Sequence, residues 1–363
     1  MAHSFNKFLQ TVIAVDEFEP EEIALFLAFH NQEKSEQKAA RKKFALQDIP
    51  DQQCVDWFRF QREDIELLRK ELLIPDVVRT ESGSIYEGTE ALCILLRRLA
   101  YPCRYTDLTI IFHRSITELC MAFHWVIEHI YCHFIHLLNT LDLCWLTRDD
   151  LQGFADAALA KGAPLDNVWG YIDGTVRPIC RPSEGQRVVW NAHYRMHSMI
   201  FQSVVAPNGM IVNLDGPWPG RRHDAGILAD SGLMDKLREK MVEIGKKFIL
   251  YGDPAYPSNE YIEAPFRRRM APLPEDQEQF NEDMSRCRIC VEWGFNKIVQ
   301  YFAFVDFSKN LKVLMQPVGK FFLVAAILTN CHTALYGSQT GIYFGVDPPS
   351  LKEYLRNVRI NED

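Results

Sequence analysis

The chain has 363 residues, 47% hydrophobic and 24% charged, a balance that suits a globular protein with room for two sizeable cores and excludes global disorder. Its net charge of −8 argues against indiscriminate coating of nucleic acid, which is driven by Lys and Arg neutralising phosphates; contact would need a local basic surface such as Arg41-Lys42-Lys43, Arg221-Arg222, Lys246-Lys247 or Arg267-Arg268-Arg269. Met1 to Gln10 lacks a signal-peptide pattern, the apolar run Phe321 to Leu328 is short of a membrane span, and the 10 cysteines are scattered, so the expectation is a protein neither secreted nor membrane-bound, with reduced thiols.

Glu-Pro-Glu-Glu with Ile23, Leu25, Phe26 and Phe29 predicts a helix within Pro20 to Phe44, followed by a solvated connector. Asp64 to Leu73 reads as an amphipathic helix stopped by Pro75, Gly83-Ser84 as a turn, and Thr89 to about Tyr101 as another helix. Thr106 can cap a short helix to Phe112. Ser115-Ile116-Thr117-Glu118 matches a capping box, opening a long apolar helix to about Leu138. Short helices around a tight turn at His113-Arg114-Ser115 outline a helix-turn-helix, although the Met, Phe, Trp and Ile content of the candidate recognition helix requires burial. Arg97, Arg98, Arg104 and Arg114 are its phosphate-contact candidates.

From Asn167 the texture changes to short apolar runs: Val168 to Ile172, Met199 to Ala206, Met210 to Leu214 and Phe248 to Tyr251 predict strands. Pro207-Asn208-Gly209 predicts a tight hairpin, and Asp224 to Lys240 and Arg286 to Phe302 have helical spacing. The expected fold is α/β, a mixed sheet preceded by an all-α region. The expected division is an N-terminal extension over 1–55, a helix-turn-helix-like DNA-binding region over 56–145, a catalytic domain over 160–335 and a tail over 336–363.

Carboxylates in unusual settings carry the functional signal. Asp173 in Ile-Asp-Gly-Thr and Asp253 in Tyr-Gly-Asp-Pro each end a predicted strand, and Glu292 lies beside the apolar stripe of the later helix. An unpaired charge at such places is costly unless something compensates it. Divalent metal explains the arrangement, because Mg²⁺ takes carboxylate oxygens and substrate phosphates, and strand ends are where such groups meet in a crevice. The pattern therefore points to phosphoryl transfer on a nucleic acid, with the three carboxylates converging.

With those residues in place, the segment from about Phe60 onward resembles the PIF/Harbinger transposases and the nucleases domesticated from them, members of the DDE superfamily. The resemblance rests on ordered motifs: Ile172-Asp173-Gly174-Thr175, Trp218-Pro219-Gly220-Arg221-Arg222-His223-Asp224, Gly252-Asp253-Pro254-Ala255-Tyr256-Pro257 and Arg288-Ile289-Cys290-Val291-Glu292-Trp293-Gly294-Phe295. Upstream, Gly88-Thr89-Glu90-Ala91-Leu92 and Arg98-Leu99-Ala100-Tyr101-Pro102 resemble the helical DNA-binding region of that family. Trp190 to Arg195 and Asn296 depart from its usual Gly and Lys pattern.

The resemblance implies an RNase H-like core and a metal-binding triad of Asp173, Asp253 and Glu292 holding two Mg²⁺ or Mn²⁺ ions, with Asp173 bridging them. It implies cleavage of DNA phosphodiesters and, in transposition-like chemistry, joining of 3′-ends. His223 and Asp224 are accessory candidates, with a helix N-terminal role the alternative for Asp224. Arg195, Arg221, Arg222 and Lys297 join the DNA-contact candidates. A nuclear location, with cytoplasm as a second compartment, and a Myb-like/SANT partner protein are also implied. The alternatives are a domesticated DNA-binding or scaffolding protein with an unused triad, and an RNA-directed nuclease on the same core. His129, His133 and His136 have a spacing that can bind zinc, but their apolar neighbours favour a packed helix face, and Cys287 with Cys290 lacks a second cysteine pair.

Overall fold

A computed structural model gives the structure of the protein, described for residues 43–267 and 272–356. The helix expected from Pro20 falls almost wholly outside the described residues, as do Arg41, Lys42, Arg268 and Arg269. The first part is helical: α1 (Asp51–Phe58), α2 (Arg62–Glu71), a hairpin of β1 (Val77–Arg79) and β2 (Ile85–Glu87), then α3 (Gly88–Ala100), α4 (Tyr105–Phe112), α5 (Ile116–Phe134) and α6 (His136–Asn139). Ser115 and Glu118 form the expected capping box at the start of α5, each satisfying the other's backbone N–H. The hairpin is an addition to the sequence reading. Gly83 at its turn has φ 77°, a conformation that a side chain disfavours.

The sheet follows. After α7 (Arg148–Ala160) come β3 (Val168–Pro178), the short α8 (Gln186–Val189) and β4 (Trp190–Asn191), then β5 (Met196–Val205) and β6 (Ile211–Pro219). Next are α9 (Asp224–Asp230), α10 (Leu233–Ile244), β7 (Ile249–Tyr251) and β8 (Ile262–Glu263). The long α11 (Glu275–Tyr301), α12 (Val318–Tyr336), α13 (Gln339–Phe344) and α14 (Leu351–Leu355) complete the described chain. Strands β5, β3, β7 and β8 lie side by side in that order, with β4 and β6 both paired to β5. β3, β5 and β6 are antiparallel neighbours, whereas β7 and β8 continue the sheet in parallel from β3. The fold is mixed α/β, consistent with an RNase H-like nuclease core.

Two expectations change. The predicted single helix over Asp224 to Lys240 is two helices, because Gly232 at φ 67° breaks the ladder after Ser231. Asp173 does not end its strand: β3 runs on to Pro178, since residues 174–178 keep pairing with β5, from Gly174↔Gln202 to Pro178↔Ser198.

Buried apolar residues from Leu46 to Leu355 form one contiguous cluster, so the helical region and the sheet share a core. In α5 the buried face is Leu119, Ala122, Phe123, Val126, Ile127, Ile130 and Phe134, packed in part on α3 and α12. Helix α12 is long and apolar enough to cross a membrane, but 78% of its apolar window is buried inside the protein, the position of a core helix. Its Asn330 is fully buried and clamps the edge of β6. Its side chain accepts from Ile211 N at 2.9 Å and donates to Ile211 O at 2.8 Å and to Tyr354 Oη at 3.1 Å. Edge backbone groups are thereby satisfied without another strand.

Candidate active site

The parallel pairing of β3 with β7 ends at Tyr171↔Tyr251. Asp173 lies two residues beyond Tyr171 and Asp253 two beyond Tyr251, so both follow the last pair by the same step. Period-two alternation then puts two carboxylates at one level where the adjacent strands part. Gly252 makes this turn possible: a Cβ there would stand 2.9 Å from the ring of Tyr256 and 3.1 Å from Ile172. The Asp253 carboxylate accepts from Ala255 N at 2.9 Å, which fixes its own turn.

A third carboxylate joins them. Asp224 opens α9 just after β6, and its Oδ1 lies against the backbone of Gly174, where a Cβ would be 2.2 Å away. Only glycine at 174 permits that approach. Asp173, Asp224 and Asp253 all act electrostatically on Tyr256, whose buried hydroxyl has no hydrogen-bond partner among the described residues. Burial, with Asp253 adding to it, raises the Asp224 pKa above the ordinary carboxylate range.

Asp173 is the most perturbed of the group. Its Oδ1 accepts from Gly174 N at 2.8 Å and its Oδ2 from Arg288 Nη1 at 3.0 Å. Burial pushes its pKa up to about 6; Arg288 opposes this, and Asp253 and Asp224 reinforce it. The side chain of Glu292 is exposed on α11, one turn beyond Arg288. Among the described residues, no three His, Cys, Asp or Glu side chains come close enough to hold one ion together. Asp224 is thus grouped with Asp173 and Asp253, and helix α11 presents Arg288 to Asp173.

The donor set nevertheless fits a divalent cation. Carboxylate oxygens are the hard ligands such ions prefer, and a buried hydroxyl without a partner among three aspartates is a group that a hydrated ion would satisfy.

The predicted cations divide by their contacts. Arg98, 7% exposed, lies over the rings of Tyr105 and Phe304 at 4.4 and 4.7 Å. Arg114 makes a two-pronged pair with buried Glu90, at 2.8 and 2.6 Å, and stacks on Tyr86. Arg222 pairs with Asp230 and lies over Trp218. Lys297 donates to Thr333 Oγ1 at 2.9 Å and Gly337 O at 2.8 Å. These four are committed to protein partners. Arg97 lies over Trp57 and Tyr101, while Arg104, Arg195, Arg221 and His223 are exposed. Of the histidines with zinc spacing, His129 gives its Nε2 to Leu72 O at 3.0 Å and stacks on Trp125.

Sequence reading assigned no role to Arg288 and left Asp224 between two roles. The signal for Arg288 was its place four residues before Glu292, on the same helix face. For Asp224 the local motif gave an accessory role, but its contact with Gly174 spans 50 residues of chain and had no local signal.

Residues 172–330 match the family described as DDE superfamily endonuclease, a span that contains Asp173, Asp224, Asp253, Arg288 and Glu292. The match supports a DDE transposase-like nuclease. Neither the curated proteins nor the solved structures gave a match to the chain.

Proposed function

We propose that the protein is a divalent-metal-dependent DNA endonuclease of transposase type, of the PIF/Harbinger kind, that cuts DNA phosphodiesters at the pocket of Asp173, Asp224 and Asp253. The observation that carries this reading is the level placement of Asp173 and Asp253 where β3 and β7 part, within the span that matches the endonuclease family. Mg²⁺ or Mn²⁺ would be held by Asp173 and Asp253, with Asp224 beside them, and Glu292, one turn beyond Arg288 on α11, is the third ligand that the sequence motifs imply. When bound, such ions stabilise the attacking and leaving oxygens of an in-line displacement at phosphorus.

The chain's own contribution is orientation. Gly174 N–H fixes one oxygen of Asp173, Ala255 N–H fixes one oxygen of Asp253, and the ring of Tyr256 walls the pocket beneath Gly252. Exposed Arg221, three residues before Asp224, together with exposed Arg195 and Arg104, are the cations we assign to DNA phosphates. Joining of 3′-ends, a nuclear site of action and a Myb-like partner rest on the resemblance of the sequence motifs.

A second reading, a DNA-binding protein whose acidic pocket is unused, is favoured by the Arg288 contact that already neutralises Asp173. Nicking of supercoiled plasmid by purified protein in Mg²⁺ or Mn²⁺ separates the two. The nuclease reading expects nicking that disappears in Asp253→Ala and in chelator. Equal nicking by both proteins, or none by either with DNA binding retained, would discard it.

A further inference from the structure

Arg288 pairs with Asp173, and its side chain and that of Asp173 are 23% and 17% exposed. The contact is single, one nitrogen to one oxygen at 3.0 Å, unlike the two-pronged Arg114–Glu90 pair. A single-pronged pair is the weaker form and the easier to exchange. Beside it lies a cavity of about 450 Å³ lined by Arg288, Tyr251, Phe266, Asn281, Glu282 and Ser285. That cavity offers space and oxygen acceptors to a guanidinium leaving Asp173.

We infer that Arg288 is a tethered counter-cation, which neutralises the acidic pocket when no metal is bound and is displaced from Asp173 into the neighbouring cavity when a divalent ion enters. The physical reason is charge balance. Three neighbouring aspartates in a partly buried pocket repel one another, and a tethered positive charge relieves this without a bound ion. The same charge must then be moved aside before an ion can use the oxygen it covers, so the pair weakens the apparent affinity for metal. This inference rests on the reading that the pocket takes a divalent ion.

The test is binding of Mn²⁺ alone to the full chain, followed by electron paramagnetic resonance of free Mn²⁺ in the wild type, Arg288→Gln, Arg288→Lys and Asp253→Ala. Folding of each is checked by circular dichroism. Removing the competitor should tighten Mn²⁺ binding by about fivefold in Arg288→Gln, the worth of a partly exposed ion pair, and by less in Arg288→Lys. Asp253→Ala should lose the site. If the wild type binds and Arg288→Gln binds equally or more weakly, the counter-cation role is wrong while the metal reading stands. If no protein binds Mn²⁺, both fall together.

Discussion

Asp173→Asn is expected to make the metal-free protein more stable at neutral pH. Its carboxyl is moved from 3.8 to about 6, chiefly by burial. At about 1.4 kcal/mol per pH unit, keeping it ionised costs the folded state about 3 kcal/mol. Because the folded value lies above the unfolded one, stability is full below pH 3.8 and is lost as pH rises through about 6. Asparagine has nearly the same shape and escapes that loss, and the attraction of Arg288 is already contained in the net shift. The variant should therefore be more stable by about 3 kcal/mol at pH 7.5, and the difference should shrink by about 1–1.5 kcal/mol at pH 5. Urea unfolding in chelator at the two pH values measures both quantities. A variant less stable than wild type at pH 7.5, or a difference that ignores pH, would refute the claim that burial of the ionised carboxylate dominates. Saturating Mg²⁺ should then raise the stability of the wild type and leave the variant nearly unchanged.

Gly174→Ala places a methyl 2.2 Å from Asp224 Oδ1, so the carboxylate must move; a loss of about 1–3 kcal/mol in urea unfolding and of plasmid nicking is expected. Lys297→Met should stabilise the protein by about 1–3 kcal/mol at pH 7, because burial lowers the lysine pKa to about 8 and its charged form is penalised there. That gain should fall as pH rises from about 8 toward the unfolded value of 10.5, readable as converging thermal unfolding midpoints. Arg114→Ala strands the buried Glu90 and should cost about 3 kcal/mol of stability, whereas Arg104→Ala should leave stability within about 0.5 kcal/mol and weaken DNA binding in fluorescence anisotropy.

Local chemistry made much of the fold legible. The Ser115–Glu118 box, the Pro207-Asn208-Gly209 turn and the apolar runs of β3, β5, β6 and β7 are decided by backbone donors, glycine conformation and alternating burial within a few residues. Sequence also selected Asp173 and Asp253, because a carboxylate next to glycine after an apolar run lacks a packing explanation. Only tertiary structure decided which charges meet. β3 extends past Asp173 because β5 supplies partners from another part of the chain. Asp224 reaches the pocket because Gly174 leaves space for it, and α11 presents Arg288 to Asp173. Arg98 and Lys297 look like exposed cations in the sequence, yet one lies between aromatic rings and the other reaches the end of α12. Electrostatic energy depends on separation and burial in space, and neither is encoded in the local spacing that fixes a helix or a strand.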